Sequence, residues 1–425
     1  MAHLITLQLE APPDTVDVMV DFYDDQERAA LLSSPGGPSL AGIPKLLPVP
    51  TCDLCTYYLY YKKRLEIDGY SSHNDIVQRW HQALVEFDGQ VQFANSSLRL
   101  LSPTDFSTGT TERLGEAIGL SVVSSIHQLH QADWDRIGKT NIHKTLDFVL
   151  PWTASDGKQF IQLETKGSAG EDNAYKTSSV SNHKADIKAK KDDASDEEHA
   201  TSILYGTISV LDNKPESVAR CWLVDPQAEG GGDPTRYKIL TRLAYIADLV
   251  TFIGSRSALA ASLQTRLAAL NALTDITPLD RLPLRKGNGS VYSVETFDTA
   301  FRHNPWFAGK SVVSDGPAGG QVFPLDKSHL LLIGMREELV VHAVQQDFQA
   351  IQKYSFSAGT VGKWVECVVP AGRFRSEFDQ LMQIPDNLRE SSPAYVRFRM
   401  RGHLHYTQSG LVLGILPIPE VWQRS

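Results

Sequence analysis

The 425-residue sequence predicts an α/β protein, and three features carry that expectation. Two β-branched and aromatic runs, residues 144–151 and 159–167, flank the turn signal Asp156-Gly157 and read as adjacent strands. Upstream, residues 112–132 repeat Leu114, Ile118, Val122, Ile126 and Leu129 at helical spacing, and downstream residues 218–224 read as a buried strand. Beyond Pro283 the text changes to short strand-like runs separated by Gly, Pro, Asn and Asp, the pattern of a β-rich domain.

In chain order, residues 1–106 mix short alternating stretches with Pro- and Gly-rich breaks, and Ile76, Trp80, Leu84 and Val85 predict a helix over 74–87. This is expected to be an N-terminal α+β domain without visible chemistry. Residues 107–228 form the central domain. Within it, Ser195-Asp196-Glu197-Glu198 matches a capping box and predicts a helix carrying Ile203, Leu204, Ile208 and Leu211. Gly230-Gly231-Gly232 then reads as a linker. Residues 236–283 carry Leu240, Leu243, Ile246, Leu249 and Ile253, then Leu259, Leu263, Leu267 and Leu270, which predicts a helical pair. Residues 284–425 complete the chain as the β-rich domain, with strands expected at 321–323, 329–333, 362–370 and 395–401.

Composition narrows the functional classes. At 42% hydrophobic and 21% charged the chain matches a folded globular protein, and no apolar run is long enough to span a bilayer. The first ten residues lack a basic segment leading into an apolar one, so the expectation is a cytoplasmic protein without membrane association. Four cysteines are too few for a disulfide framework, and Cys52-x-x-Cys55, without a second ligand pair nearby, reads as two ordinary thiols. His127, His130 and His143 imitate a zinc set by spacing but are read as helix-surface and packing residues. A net charge of -9 disfavours indiscriminate binding to polyanions, so a nucleic acid would need a local patch. Neither Gly-x-Ser-x-Gly nor Gly-x-x-x-x-Gly-Lys-Ser/Thr occurs, so neither the signature of a serine hydrolase elbow nor that of an ATP-binding loop is present.

The chemistry concentrates in the strand pair. Side chains alternate along a strand, so Phe160, Gln162, Glu164 and Lys166 share one face while Ile161, Leu163 and Thr165 share the other. On the preceding strand, in-register pairing would bring Asp147 close to Glu164. Two carboxylates a few ångströms apart repel unless a divalent cation or a shared proton lies between them, and hard oxygen ligands suit Mg²⁺ or Mn²⁺. An ammonium two residues beyond the second acid can orient a water and stabilise charge developing on a phosphate.

Thr145-Leu146-Asp147, followed 17 residues after the acid by Glu164-Thr165-Lys166, resembles the PD-(D/E)XK superfamily of nucleases. The resemblance spans residues 110–226 and implies a restriction-endonuclease-like αβββαβ core. It also implies that Asp147 and Glu164 hold Mg²⁺, for which Mn²⁺ substitutes, with the Thr165 carbonyl as a further ligand and Lys166 positioning the attacking water. The first helix of that family often adds an acid; Glu112 and Glu116 lie one turn apart, and Glu116, beside Gly115 and Ala117, is favoured. The expected activity is a Mg²⁺-dependent endodeoxyribonuclease, by analogy in restriction or phage defence.

Lys184, Lys188, Lys190 and Lys191, with Lys176 and His183, read as a basic loop beside the acids that would track a phosphate backbone. From 139 to 191 nine lysines face six acids, so the local balance is positive. In the C-terminal part, Arg373 and Arg375 precede the alternating row Arg397, Arg399 and Arg401, which can meet phosphates, base edges or neighbouring acids. DNA is thus the expected partner, with a homo-oligomer or a complex with an ATPase as further expectations. The alternatives are a non-catalytic nucleic-acid-binding or scaffold protein, in which Asp147, Glu164 and Lys166 form a structural ion-pair cluster, and a nuclease subunit active only in a complex.

Overall fold

A computed structural model describes residues 12–60, 73–94, 96–102, 107–137, 146–154, 157–194, 202–224, 234–254, 257–292, 306–309, 318–325, 329–370 and 395–417. The fold is mixed α/β, in two compact units: one drawn from residues 12–64 and 83–241, the other from 65–82 and 242–425. No helix among the described residues is long and apolar enough to cross a membrane.

The first unit contains β1 (Thr15–Phe22), α1 (Asp25–Ser33), α2 (Gly37–Ala41), β2 (Leu46–Pro50), α3 (Thr51–Leu59) and the later part of α4 (His73–Gln90). It continues with β3 (Val91–Ala94), β4 (Ser97–Leu100), α5 (Thr108–His127), β5 (Asp135–Arg136), β6 (Phe148–Ala154), β7 (Gly157–Ala169), α6 (Ser178–Ala194), β8 (Ser202–Leu211) and β9 (Ala219–Val224). Seven strands form one sheet in the order β2-β1-β9-β8-β7-β6-β5. β5, β6 and β7 form an antiparallel meander, and α6 then crosses to bring β8 parallel to β7.

β1 extends this sheet, pairing parallel with β9 from Val18↔Ala219 to Phe22↔Leu223. The expected boundary near residue 106 is therefore not a break in the sheet. Val16, Val18 and Val20 alternate into the core, and pairing with β2 on one edge and β9 on the other satisfies the backbone groups of β1.

Two assignments between β7 and β9 differ from the sequence expectation. The Lys-rich interval is the helix α6 rather than a loop, and residues 202–211 are the strand β8 rather than a helix. The capping box at 195–198, like the Gly-rich stretch 230–232, lies outside the described residues. Residues 205–211 are buried whatever their polarity, with Thr207 and Ser209 fully enclosed. Layers on both faces thus erase the polar stripe by which a strand is recognised.

Those layers are α5 and α6. Ser107 caps α5 by accepting from the Thr110 amide at 3.1 Å, and Gln128, left-handed at φ 53°, ends it five residues short of the expected 132. Ser209 Oγ donates to the Gly115 carbonyl at 3.4 Å, and Gly119 faces Thr207 and Thr165, so α5 covers that face of β7 and β8. On the opposite face Val180 and Ile187 of α6 pack with Ile208, Val210, Trp222 and Val224, and Ile187 fills the space above Gly206.

In the second unit the helical pair is present as α7 (Thr235–Ile253), which carries the chain in from the first unit, and α8 (Ala258–Asn271). The β-rich segment is a closed barrel of β10 (Trp306–Gly309), β11 (Ala318–Pro324), β12 (His329–Arg336), β13 (Gly359–Pro370), β14 (Tyr395–Tyr406) and β15 (Leu411–Pro417). Closure joins β10 to β13. Helices α9 (Glu337–Gln345) and α10 (Phe348–Lys353) connect β12 to β13. The buried Arg242 ties α7 to this connection: its guanidinium donates to the carbonyls of Ile351 at 3.1 Å and Tyr354 at 2.8 Å. The arginine row lies on β14, where Arg397, Arg399 and Arg401 stand opposite Val368, Glu366 and Trp364. Arg401 and Trp364 are exposed; Arg373 and Arg375 lie outside the described residues.

Candidate active site

Asp147, Glu164 and Lys166 come together on one side of the first unit's sheet. Asp147 directly precedes β6, and its amide donates to the Leu163 carbonyl at 3.0 Å, which sets it beside the middle of β7. Its carboxylate turns back to the next strand residue but one: the Thr165 amide donates to Oδ2 at 3.3 Å and the Thr165 hydroxyl lies 3.5 Å from the same oxygen. Glu164 is fully buried, and the Lys166 ammonium lies 2.7 Å from its Oε1. The period of two along β7 thus places acid and amine on the α6 face, as the alternation predicts.

A fourth group joins them. Lys190, from the last two turns of α6, lies 2.6 Å from Glu164 Oε1 and 3.9 Å from Asp147 Oδ1. The sequence gives Lys190 only as a phosphate contact. Its place between the acids depends on α6 lying across the sheet, which no local spacing announces. Glu164 Oε2, by contrast, is buried with no hydrogen-bond partner among the described residues.

Burial, followed by the neighbouring Asp147 carboxylate, pushes the Glu164 pKa up, while Lys166 and Lys190 pull it down without restoring it. For Lys166 burial alone would lower the pKa, but Glu164 beside it, then Asp147 and Asp186, carry it above the usual lysine value, so the ammonium stays charged. His183, on the same helix face as Lys190, is lowered by burial and then by Lys166.

The other lysines of α6 have structural partners. Lys184 lies 2.7 Å from Asp24 and 2.9 Å from Glu27, and Lys188 lies 3.1 Å from Glu27. Glu27 is buried in α1, so its charge requires these ammonium groups. Lys191 is itself buried. Lys184, Lys188, Lys190 and Lys191, expected on a loop that tracks a phosphate backbone, therefore lie on a helix. On a helix those side chains diverge, sending Lys184 and Lys188 to α1 and Lys190 to the acids.

Glu116 is buried on α5, where Arg136 of β5 reaches it at 2.7 Å and stacks over Phe148 at 4.6 Å. Among the described residues no three His, Cys, Asp or Glu side chains form a group that would hold a metal, and the group beside Glu116 is the Arg136 guanidinium. Glu112 is exposed on the same helix. Arg136 lies in no recognisable motif, and no local spacing links it to Glu116.

His127 and His130 hold structural places. His130 accepts from the Ala132 amide at 3.3 Å, while His127 Nε2 lies 2.9 Å from the Tyr205 hydroxyl; His143 is outside the described residues. Cys52 is buried and Cys55 half-buried on α3, and burial raises the Cys55 pKa, which keeps that thiol protonated.

Burial lowers the His127 pKa from 6.5 to about 3, so the unfolded chain binds a proton that the folded one does not. Its share of stability is complete above pH 6.5 and is lost as pH falls through about 3. His127→Gln should therefore flatten the acid side of the stability profile, by up to about 1.4 kcal/mol per pH unit. Urea denaturation at steps between neutral and acid pH measures this; an unchanged slope would show that His127 is not the titrating group.

In comparison with known proteins, no family model matches this chain, nor does any curated protein or solved structure.

Proposed function

We propose that the chain is a metal-dependent nuclease with a restriction-endonuclease-like core, hydrolysing phosphodiester bonds in DNA, in restriction or phage defence by analogy. The observation that carries this reading is the convergence of Asp147, Glu164 and Lys166, with one oxygen of the buried Glu164 left unpartnered among the described residues. The order α5, β5-β6-β7 antiparallel, α6 and parallel β8 supports the αβββαβ assignment.

The residues fit a divalent ion. Two adjacent carboxylates, one with a raised pKa and a buried orphan oxygen, form the sparse oxygen set that Mg²⁺ takes before filling its shell with water and phosphate. Asp147 and Glu164 would hold it, with the Thr165 carbonyl as the further ligand. When bound, the ion supplies Lewis-acid polarisation of the phosphate and of water. Thr165 fixes Asp147 through its amide and hydroxyl, Glu164 fixes the Lys166 ammonium, and Lys166 aligns the attacking water and stabilises the charge that develops on the phosphoryl oxygens.

Purified protein incubated with plasmid, linear DNA, single-stranded DNA and RNA should cut DNA in Mg²⁺ or Mn²⁺ and not in EDTA. Glu164→Ala should eliminate the cutting; undiminished cleavage by that variant would refute the assignment. If activity emerges only when cell lysate is added, the chain is a nuclease subunit that needs a partner.

The same contacts favour one other reading, a binding or scaffold protein, because two ammonium groups already neutralise two carboxylates. Thermal melting separates the two. A metal site predicts a Mn²⁺-dependent rise of several degrees that Asp147→Ala removes, whereas an ion-pair cluster predicts none.

A further inference from the structure

The position of Lys190 bears on how a metal would enter the site, an inference that rests on the reading just proposed. Among the described residues its ammonium is the ion-pair partner shared by both acids, 2.6 Å from Glu164 Oε1 and 3.9 Å from Asp147 Oδ1. Lys166 reaches the same Glu164 oxygen at 2.7 Å but belongs to the strand itself, two residues along β7. Two negative and two positive groups therefore balance in a region where Glu164 is fully enclosed.

A divalent ion added to that balance would leave an uncompensated double charge in a poorly solvated place. It would also stand within a few ångströms of the Lys190 ammonium, since both seek the gap between the same two carboxylates. One cation must leave. Both lysine side chains are about one-quarter exposed, but Lys190 is the one that also stands against Asp147, in the gap the ion would take. The acids stay in place, since the Asp147 amide is bonded to the Leu163 carbonyl and Glu164 pairs with Gly206 of β8.

We propose that Lys190 is a resident counter-ion of the Asp147–Glu164 pair, holding the site assembled without metal and exchanged for the divalent ion when that binds. Lys190 thus holds the metal's place between the two acids until the ion arrives. Its replacement by a neutral side chain removes a competitor, so the variant takes up metal more tightly. A purely structural lysine would give the opposite result, because losing it would loosen the site.

The test uses the full chain and Mn²⁺. Isothermal titration of wild type, Lys190→Gln and Lys190→Arg should give about tenfold tighter Mn²⁺ binding for Lys190→Gln and wild-type affinity for Lys190→Arg. On the wild-type protein, acetylation footprinting read by mass spectrometry should show Lys190 reacting several-fold faster once Mn²⁺ is present. Lys184, held by Asp24 and Glu27, should not change. The footprint needs no mutant and decides the matter if Lys190→Gln fails to fold. Mn²⁺ binding with equal or weaker affinity in Lys190→Gln, or with no change in Lys190 labelling, overturns the exchange and leaves the metal site standing. Absence of Mn²⁺ binding by every protein overturns both.

Discussion

Lys166→Ala is expected to abolish Mg²⁺-dependent DNA cleavage while leaving the fold intact. The ammonium lies 2.7 Å from Glu164 Oε1, and its side chain is about one-quarter exposed, so truncation opens no core cavity. What is lost is a fixed positive charge where the phosphoryl oxygens would gain negative charge. Removing one such preorganised electrostatic group costs roughly 10²–10³-fold in turnover, and loss of water alignment adds to it. Glu164 would keep Lys190 as a partner, so the melting temperature should change by only a few degrees. Lys214→Ala provides the control: that exposed lysine pairs with Asp172 at the surface, and its loss should alter neither turnover nor stability measurably. The measurement is single-turnover cleavage of a labelled duplex at saturating Mg²⁺. If Lys166→Ala cleaves as fast as wild type, the ammonium is structural and the nuclease reading loses its central argument.

The part of the site built from neighbouring residues was legible in the sequence, because alternation along an extended chain is a local rule. Glu164 and Lys166 must share a face once 157–169 is a strand, and the hairpin with β6 then brings Asp147 alongside. Groups arriving from further away were not legible. Lys190 reaches Glu164 across 26 residues and Arg136 reaches Glu116 across 20, and neither pair follows from a repeat. α6 and β8 are hidden in the sequence for a related reason. Helix α6 has a narrow apolar seam, its buried apolar residues being Val180 and Ile187, so its helical period is faint and its lysines dominate the text. In β8 the spacing of Ile203, Leu204, Ile208 and Leu211 suits a helix, while the small polar Thr207 and Ser209, buried against α5, disguise its second face. The barrel strands were individually visible, but closure depends on β10 meeting β13 across more than fifty residues, a pairing that strand propensity does not encode.

Substituting Gly167 should damage the protein as severely as any single change outside the charged cluster. Gly167 lies on β7 directly after Lys166, and a Cβ placed on it would come within 1.9 Å of the Thr111 carbonyl oxygen of α5. Gly115 is the reciprocal position, where a Cβ would meet the Gly167 amide nitrogen at 2.4 Å. Both obstacles are backbone, so no side-chain rotation relieves them. Helix and strand would have to separate by about 1 Å or more to restore ordinary contact distances. Gly167→Val should therefore destabilise the first unit by roughly 3 kcal/mol or more, with Gly167→Ala somewhat milder. Because Glu164 and Lys166 ride on the same strand, the molecules that do fold should also cut about a hundredfold more slowly. Gly109, at the start of the same helix, has no atom within 4 Å of a built Cβ, so Gly109→Ala should be neutral or slightly stabilising. Chemical denaturation of the three variants beside wild type measures the contrast. If Gly167→Val unfolds at the wild-type midpoint, α5 does not press on β7, and the close approach that aligns the acid-bearing strand is absent.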